Sequence, residues 1–552
     1  MIDAIQKQVD VHFKEICKLR SVQNSHVPVS RLPAELLSEA FLCIVESSLQ
    51  YGSLGFAEGT FAFRQVCRHW DEVAVGFPQL WVQWVSRAVR AWSLFNTHSK
   101  EAPIFLTWQP YQSSIIRQDL PADTVIPGRV HQLDFSGTRE QSEQLFRALD
   151  SNAPSNVSSI RVYIIPYGAR QDNGQGTQEN LTRFLSSPFP KLSKLHITNY
   201  QLDSSSTVFT TSNLISLKLS FPHGTRPCYT LSQVLGILRK HPNLRELDLE
   251  DAATQQVELT EALVPFTLPQ LVDLKLRGTP GYIFRLVSLI GLTSPLHSTA
   301  LHFDYTRDQD GSALVDTVKN ILSAYYECKG LDHPRKANYL SVTGPRFGPL
   351  FLAARSRSTP ASSPQPLLEL RFCRTHELPK ILPLLPLKDT QEFAINALVL
   401  SSDGYHRLLL QLKGISELQL SRLDIGPVLE ALDPRKQGAS KGATEISCWV
   451  VDTCADDPGQ QLVPKLVSLT LSNLDFLHGM EEDILDVLRG RRDNNIGLER
   501  LIIRSCRVHR AHDDEGYFKG LVEEVKWVDV ENVGTEYEGY SDEDSDWDES
   551  DF

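Results

Sequence analysis

One hexad, apolar-x-x-apolar-x-apolar, recurs along most of this chain, and no other feature limits the fold as much. Eight copies use only Leu or Ile at all three places, beginning at Leu192, Leu214, Leu244, Leu271, Ile395, Ile415, Leu466 and Leu498. Six looser copies begin at Val130, Val157, Ser298, Ala337, Leu367 and Ala443. From Val130 to Leu498 is 368 residues over thirteen steps, about 28 per step, with single steps of 20 to 39. The last two apolar places flank one residue. Both therefore point to the same face of a short strand, and the residue between points to the other. One such strand cannot bury its own face, but copies set side by side share a core.

Helical spacing fills the gaps between copies. Ser232 to Lys240 carries Val234, Leu235 and Leu238, and Ser312 to Cys328 carries Leu314, Val315, Val318, Ile321, Leu322 and Tyr325. Met480 to Arg489 has acids in its first turn, an arginine in its last and Gly490 after it, the signals of a complete helix. Strand then helix, repeated, predicts right-handed crossovers. The period lies in the range of leucine-rich repeats. Two copies resemble that family further: Leu498 continues to Cys506 and Val508, as in its cysteine-containing kind, and Ile415 continues to Leu423 and Ile425.

A different pattern occupies Val29 to Trp84. Pro33 suits a first helical position, and Leu36, Leu37, Ala40, Phe41, Ile44 and Val45 follow at helical spacing. After the glycine-bearing stretch Gly52 to Gly59, a second predicted helix carries Phe63, Val66, Cys67, Trp70, Val73 and Ala74, and Pro78 ends it. Three ordered blocks, Leu32-Pro33-Ala34-Glu35-Leu36, Val66-Cys67-Arg68-His69-Trp70 and Pro78-Gln79-Leu80-Trp81, resemble an F-box, the module that docks onto the Skp-type adaptor of cullin–RING ubiquitin ligases. The resemblance implies adaptor contacts among Leu32, Pro33, Glu35, Leu36, Ile44, Val66, Cys67 and Trp70, some of them facing the module's own core. The expected fold is α/β: an N-terminal helical F-box followed by an irregular leucine-rich-repeat solenoid, a right-handed α/β horseshoe. Its boundaries are expected at 1–28 for an N-terminal helix and linker, 29–84 for the F-box, 85–128 for a connecting helix and first strand, 129–530 for the repeats and 531–552 for an acidic tail.

The flanks fit that division. Ile2, Ile5, Val9, Phe13, Ile16 and Leu19 form one helical stripe between Met1 and Arg20 that could pack on the F-box or pair with another helix. Packing is expected, since fewer than three heptads make a poor coiled coil, with Ser21 to Pro28 as a linker. Ser86 to Thr97 reads as a helix, and Ala102 to Trp108 alternates like a strand. With Ser99-Lys100-Glu101-Ala102-Pro103 between them, this order is similar to that of many fungal F-box proteins. Gln171 to Glu179, Arg355 to Pro366 (with Thr359-Pro360 and Ser363-Pro364) and Pro434 to Gly442 interrupt the array as surface loops. Tyr537 to Phe552 is too acidic and too poor in aliphatic residues to pack.

Net charge is −13, but nine acidic residues between Glu536 and Asp551, with no base among them, leave −4 for the rest. Neither the sign nor the distribution favours nucleic acid. Nine scattered cysteines without a Cys-x-x-Cys pair signal neither a disulfide framework nor a zinc site, and point to a reducing compartment, cytoplasm or nucleus. No apolar run is long enough for a membrane. Gly438-Ala439-Ser440-Lys441-Gly442 fits a hydrolase elbow only in composition, since a predicted helix precedes it and a strand follows. No catalytic residue, metal ligand or cofactor is therefore expected. The reading is a substrate-recognition subunit of a Skp–cullin–F-box ligase that binds the adaptor, through it a cullin, and an unidentified protein substrate. The alternative is a protein-interaction scaffold outside ubiquitin transfer. Substrate contacts are expected either from the outward strand positions His196, Lys218, Asp248, Lys275, His302 and Arg371, a polar row of mixed sign, or from loops at one rim, Gln171 to Glu179 and Arg355 to Pro366.

Overall fold

In the computed structural model the chain divides into two compact units, Met1–Leu259 and Thr260–Phe552. The structure describes residues 2–50, 62–85, 91–109, 127–149, 156–165, 179–211, 213–221, 229–253, 264–291, 296, 298–303, 318–319, 339–343, 350–355, 368–372, 378–381, 390–412, 414–435, 463–476, 480–509, 518 and 520–533. The Ala443 copy, most of the helix expected at Ser312 to Cys328, the three interrupting loops for the most part and the acidic tail lie outside these residues.

The first unit opens with α1 (Ile2–Ser25), a 3₁₀ turn at Pro28–Arg31, α2 (Ala34–Gln50), a helical stretch described over 62–66, α3 (Arg68–Gly76) and a second 3₁₀ turn at Pro78–Trp81. It continues with β1 (Gln83–Val85), α4 (Trp92–Ser99), β2 (Ile104–Trp108), β3 (Val130–Gly137), α5 (Arg139–Leu149), β4 (Ser159–Ile164), α6 (Glu179–Leu185), β5 (Lys194–Thr198), α7 (Val208–Thr211), β6 (Ser216–Ser220), α8 (Leu231–Arg239) and β7 (Glu246–Glu250). Strands β1 to β7 pair in chain order and all in parallel. Alternation decides which side is core. Leu133 and Phe135, Ile160 and Val162, Leu195 and Ile197, Leu217 and Leu219, and Leu247 and Leu249 are all buried, two to a strand. The helices cover that face, and their starts are fixed locally: Thr230 and Gln233 form a reciprocal capping box at α8.

The second unit contains β8 (Phe266–Thr267), β9 (Asp273–Gly278), α9 (Pro280–Leu289), β10 (Ile290–Gly291), β11 (Ser298–Phe303), β12 (Tyr339–Thr343), β13 (Leu350–Arg355), β14 (Leu368–Phe372), α10 (Leu378–Ile381), β15 (Glu392–Asn396), α11 (Ser402–Leu410), β16 (Glu417–Ser421), α12 (Gly426–Leu432), β17 (Ser468–Ser472), α13 (Met480–Asp493), β18 (Arg500–Arg504), β19 (Arg507–His509), β20 (Glu524–Val528) and β21 (Glu531–Val533). Its main sheet is mixed. β11 pairs in parallel with β9 on one side and β14 on the other, β13 is antiparallel to both β14 and β12, and β12 is parallel to β15. From β15 the order runs β16, β17, β18 and β20 in parallel.

This architecture corrects the expected one. The fold is α/β, but it is not an N-terminal helical F-box followed by a leucine-rich-repeat horseshoe. The helical segment is not a separate module: β1 begins inside it, and tryptophans join the two. Trp81 Nε1 donates to Ala74 O (2.7 Å), Trp84 Nε1 to Trp81 O (3.0 Å) and Trp92 Nε1 to Val85 O (3.1 Å). The Trp92 ring stands 5.4 Å from Trp84 and 5.8 Å from Trp108 of β2. Nor is the array one uniform run of strand–helix crossovers. Residues 344–349 are too few to carry a parallel crossover, so β13 returns antiparallel.

Smaller corrections have equally local causes. The expected second F-box helix is broken at Cys67, whose backbone is extended (φ −162, ψ 168). α1 runs through the expected linker as far as Ser25; every residue described from Ile2 to Gln23 is exposed, and near its end Asn24 Nδ2 donates to Val66 O (3.3 Å). Gly490 does not end α13. A Cβ there would lie 2.8 Å from Asp433 Oδ1 and 2.9 Å from Arg435 Nε, so its glycine gives room to the Asp433–Arg435 ion pair. Two copies were also misphased. At Ser298, Leu276 pairs with Leu301, which shifts the core pair to Thr299 and Leu301. At Ile395, the strand stands earlier, with Phe393 and Ile395 in register with Leu418 and Leu420.

Seven strands end alike. The next residue, Asn199, Asp251, Ala397, Arg422, Asn473, Ser505 or Asp529, has φ between 49 and 57. For Asn199, Ala397, Arg422, Asn473 and Ser505, its N–H donates to the last carbonyl of the neighbouring strand, at 2.8 to 3.4 Å. The ladder thus extends one residue past each strand before the chain turns away.

Candidate protein-binding surfaces

The helical segment presents more apolar surface than its own core uses. At about 100° per residue, Leu37, Phe41 and Val45 fall on one arc of α2 and are buried. Phe41 stacks on Phe63 with centroids 4.3 Å apart and tilts against Trp70 at 5.1 Å. Leu36, Ala40 and Ile44 fall on the adjoining arc and face outward. Leu36 is 55% exposed, Ile44 48%, Val66 48% and Leu32 36%. Pro33 and Glu35 are exposed, while Cys67 and Trp70 are half-buried. The third motif block goes the other way: Leu80 and Trp81 are core. Arg64 lies over the Trp81 ring and pairs with Asp71 at 2.5 Å, which holds the stretch before Cys67 against α3.

The second surface is the polar face of the first unit's sheet. Register places Asp134, Arg161, His196, Lys218 and Asp248 directly beside one another on β3 to β7. Arg161 Nη1 binds Asp134 Oδ2 at 3.1 Å and Lys218 Nζ binds Asp248 Oδ2 at 2.7 Å. His196 sits between the two cations, its Nε2 3.3 Å from Ser216 Oγ. Burial, then the charges of Arg161 and Lys218, lower its pKa to about 4, so the ring is neutral near pH 7. Burial pushes the Asp134 carboxyl up, against the pull of Arg161. One row further along, Ser220 Oγ donates to Glu250 Oε2. The charges on this face are thus largely matched within it.

The sequence reading placed His196, Lys218 and Asp248 in this row, and the structure brings them together. Asp134 and Arg161 were missed, although the looser copies at Val130 and Val157 carry them at the equivalent place. In the second unit the row separates. Lys275 is exposed and pairs in register with Ala300, whereas His302 is in register with Arg277 and Arg371 and is buried. There, Arg500 Nε binds Glu524 Oε2 at 2.9 Å and Lys526 Nζ binds Glu524 Oε1 at 2.8 Å; hydrogen bonds from Lys526 and Arg500 hold that carboxyl below its usual range.

Among the described residues no group of three His, Cys, Asp or Glu side chains stands together as a metal site. No described helix is long and apolar enough to cross a membrane. No protein-family model matches the chain, and no curated protein matches it.

Proposed function

We propose that the chain is the substrate-recognition subunit of a Skp–cullin–F-box ubiquitin ligase. One observation carries this reading: Leu32, Leu36, Ile44 and Val66, motif positions that the resemblance assigns to the adaptor, are outward-facing apolar side chains, while Leu37, Phe41 and Val45 of the same segment fill the core. A docking interface is driven by a few such anchors, each worth roughly 2 kcal/mol or more on truncation. The cullin joins through the adaptor. A protein substrate is bound by the polar sheet face, whose mixed charges confer register and selectivity more than raw affinity. The subunit makes no bond itself; it converts an encounter between substrate and ubiquitin-charged enzyme into a tethered reaction.

Co-purification of the full chain with a Skp-type adaptor and cullin tests the reading. Wild type should recover both. Leu32→Ala with Pro33→Ala should recover neither and leave the melting curve unchanged, because both side chains are exposed. Failure of the wild type to recover the adaptor would leave the chain a protein-interaction scaffold outside ubiquitin transfer, and equal recovery by the double variant would overturn the docking residues and with them the F-box resemblance.

A further inference from the structure

Helix α1 carries the largest exposed apolar residues of the first unit and does not share in its core. Ile2 is 83% exposed, Leu19 68%, Phe13 66%, Ile5 55%, Val9 52% and Ile16 48%. Its 24 residues span more than three heptads. Counting from Ile2, the first places hold Ile2, Val9, Ile16 and Gln23, and the fourth places hold Ile5, His12 and Leu19. β-Branched Ile2, Val9 and Ile16 at three of the four first places favour two parallel strands, and the polar His12 and Gln23 in the seam fix register at some cost in stability.

Charge selects the partner. In a parallel pair the seventh place of one helix meets the fifth place of the next heptad on the other. That sets Glu15 against Arg20 of a second copy, twice per pair, with no like charges facing. In an antiparallel pair the seventh places face each other and the fifth places face each other, so Glu15 and Arg20 never meet. Among the described residues Glu15 pairs with Lys18 of its own helix, at 3.6 Å between two mostly exposed side chains, and such pairs contribute little.

We infer that α1 is a self-association helix through which two copies of this chain join as a parallel two-stranded coiled coil. This is independent of adaptor docking, which uses residues outside α1.

Light scattering on the full-length chain should give twice the 62.1 kDa chain mass at micromolar concentration. Val9→Asp with Ile16→Asp should return it to the monomer, each change weakening association by roughly thirtyfold, with an unchanged melting curve since neither residue is buried. Glu15→Arg alone and Arg20→Glu alone should each weaken the dimer, and the two together should restore it. In a Cys17→Ser background, Ile16→Cys should cross-link to itself on oxidation. A monomeric wild type overturns the inference, including one whose α1 amides are protected because the chain covers its own helix. So does a dimer indifferent to Val9→Asp with Ile16→Asp, a charge swap that fails to restore, or an Ile16→Cys that does not cross-link.

Discussion

His196 shows how a single residue carries the state of a whole surface. Its ring is held neutral by burial and by Arg161 and Lys218, with a pKa of about 4 against an ordinary 6.5. Between those values the unfolded chain binds a proton that the folded chain refuses. Stability from this residue is therefore complete above pH 6.5, falls as pH drops toward 4, and changes no further below that. Asp134 opposes it: its raised pKa lets the folded carboxyl take a proton before the unfolded one does. The difference between wild type and His196→Gln isolates the histidine. Denaturant titrations at pH 7, 5.5 and 4.5 should show wild type losing more stability than the variant across that range. Parallel losses would mean that His196 titrates normally. The row itself was readable from the hexad, because the residue between two core positions must point outward. The ion pairs within it were not, because pairing depends on which strands are neighbours and in what register.

At the scale of elements, the repeated feature is the left-handed residue after each strand. It costs an ordinary L-residue about 1–2 kcal/mol. Asn and Asp, which tolerate it best, occupy four of the seven places: Asn199, Asp251, Asn473 and Asp529. Arg422 has no such tolerance, is exposed, and has φ 50. Arg422→Gly should stabilise the second unit by about 0.5 kcal/mol, once the extra freedom of glycine in the unfolded chain is subtracted. Arg422→Val should destabilise it by about 1 kcal/mol or more, since a β-branched side chain fits this region worst. Thermal melts of the two variants decide; a glycine variant that melts below wild type would show that no strain is present. Sequence reasoning found most strands but not these turns, because the residues at 397, 422 and 505 (Ala, Arg and Ser) carry no common signal. It misphased the copies at Ser298 and Ile395 for a related reason. A period of two tells which residues share a face and leaves their partners open, and only the neighbouring strand settles that. Helix ends failed where tertiary contacts overrode local signals: Gly490 reads as a stop but makes room for Asp433 and Arg435.

At the scale of the molecule, the two units differ in how far apart in sequence their paired strands lie. In the first unit each strand pairs with the next in the chain, and only 199–215 separate β5 from β6. In the second, β11 pairs with β14 across 304–367, and β12 reaches past two strands to β15. Closing the longer loop costs about 1 kcal/mol more, and β13 can bridge β12 and β14 only once both are in place. The first sheet can therefore assemble strand by strand as a chain is synthesised from its N-terminus, whereas the second must wait for residues as distant as Leu368 before β11 gains its second neighbour. In refolding monitored by pulsed hydrogen exchange, amides of β3 to β7 should become protected before those of β11 and β14. Simultaneous protection would mean that the two sheets fold as one. The reversed strand β13 thus sets an order in time: the surface carrying Asp134 to Asp248 exists while the second half of the protein is still being made.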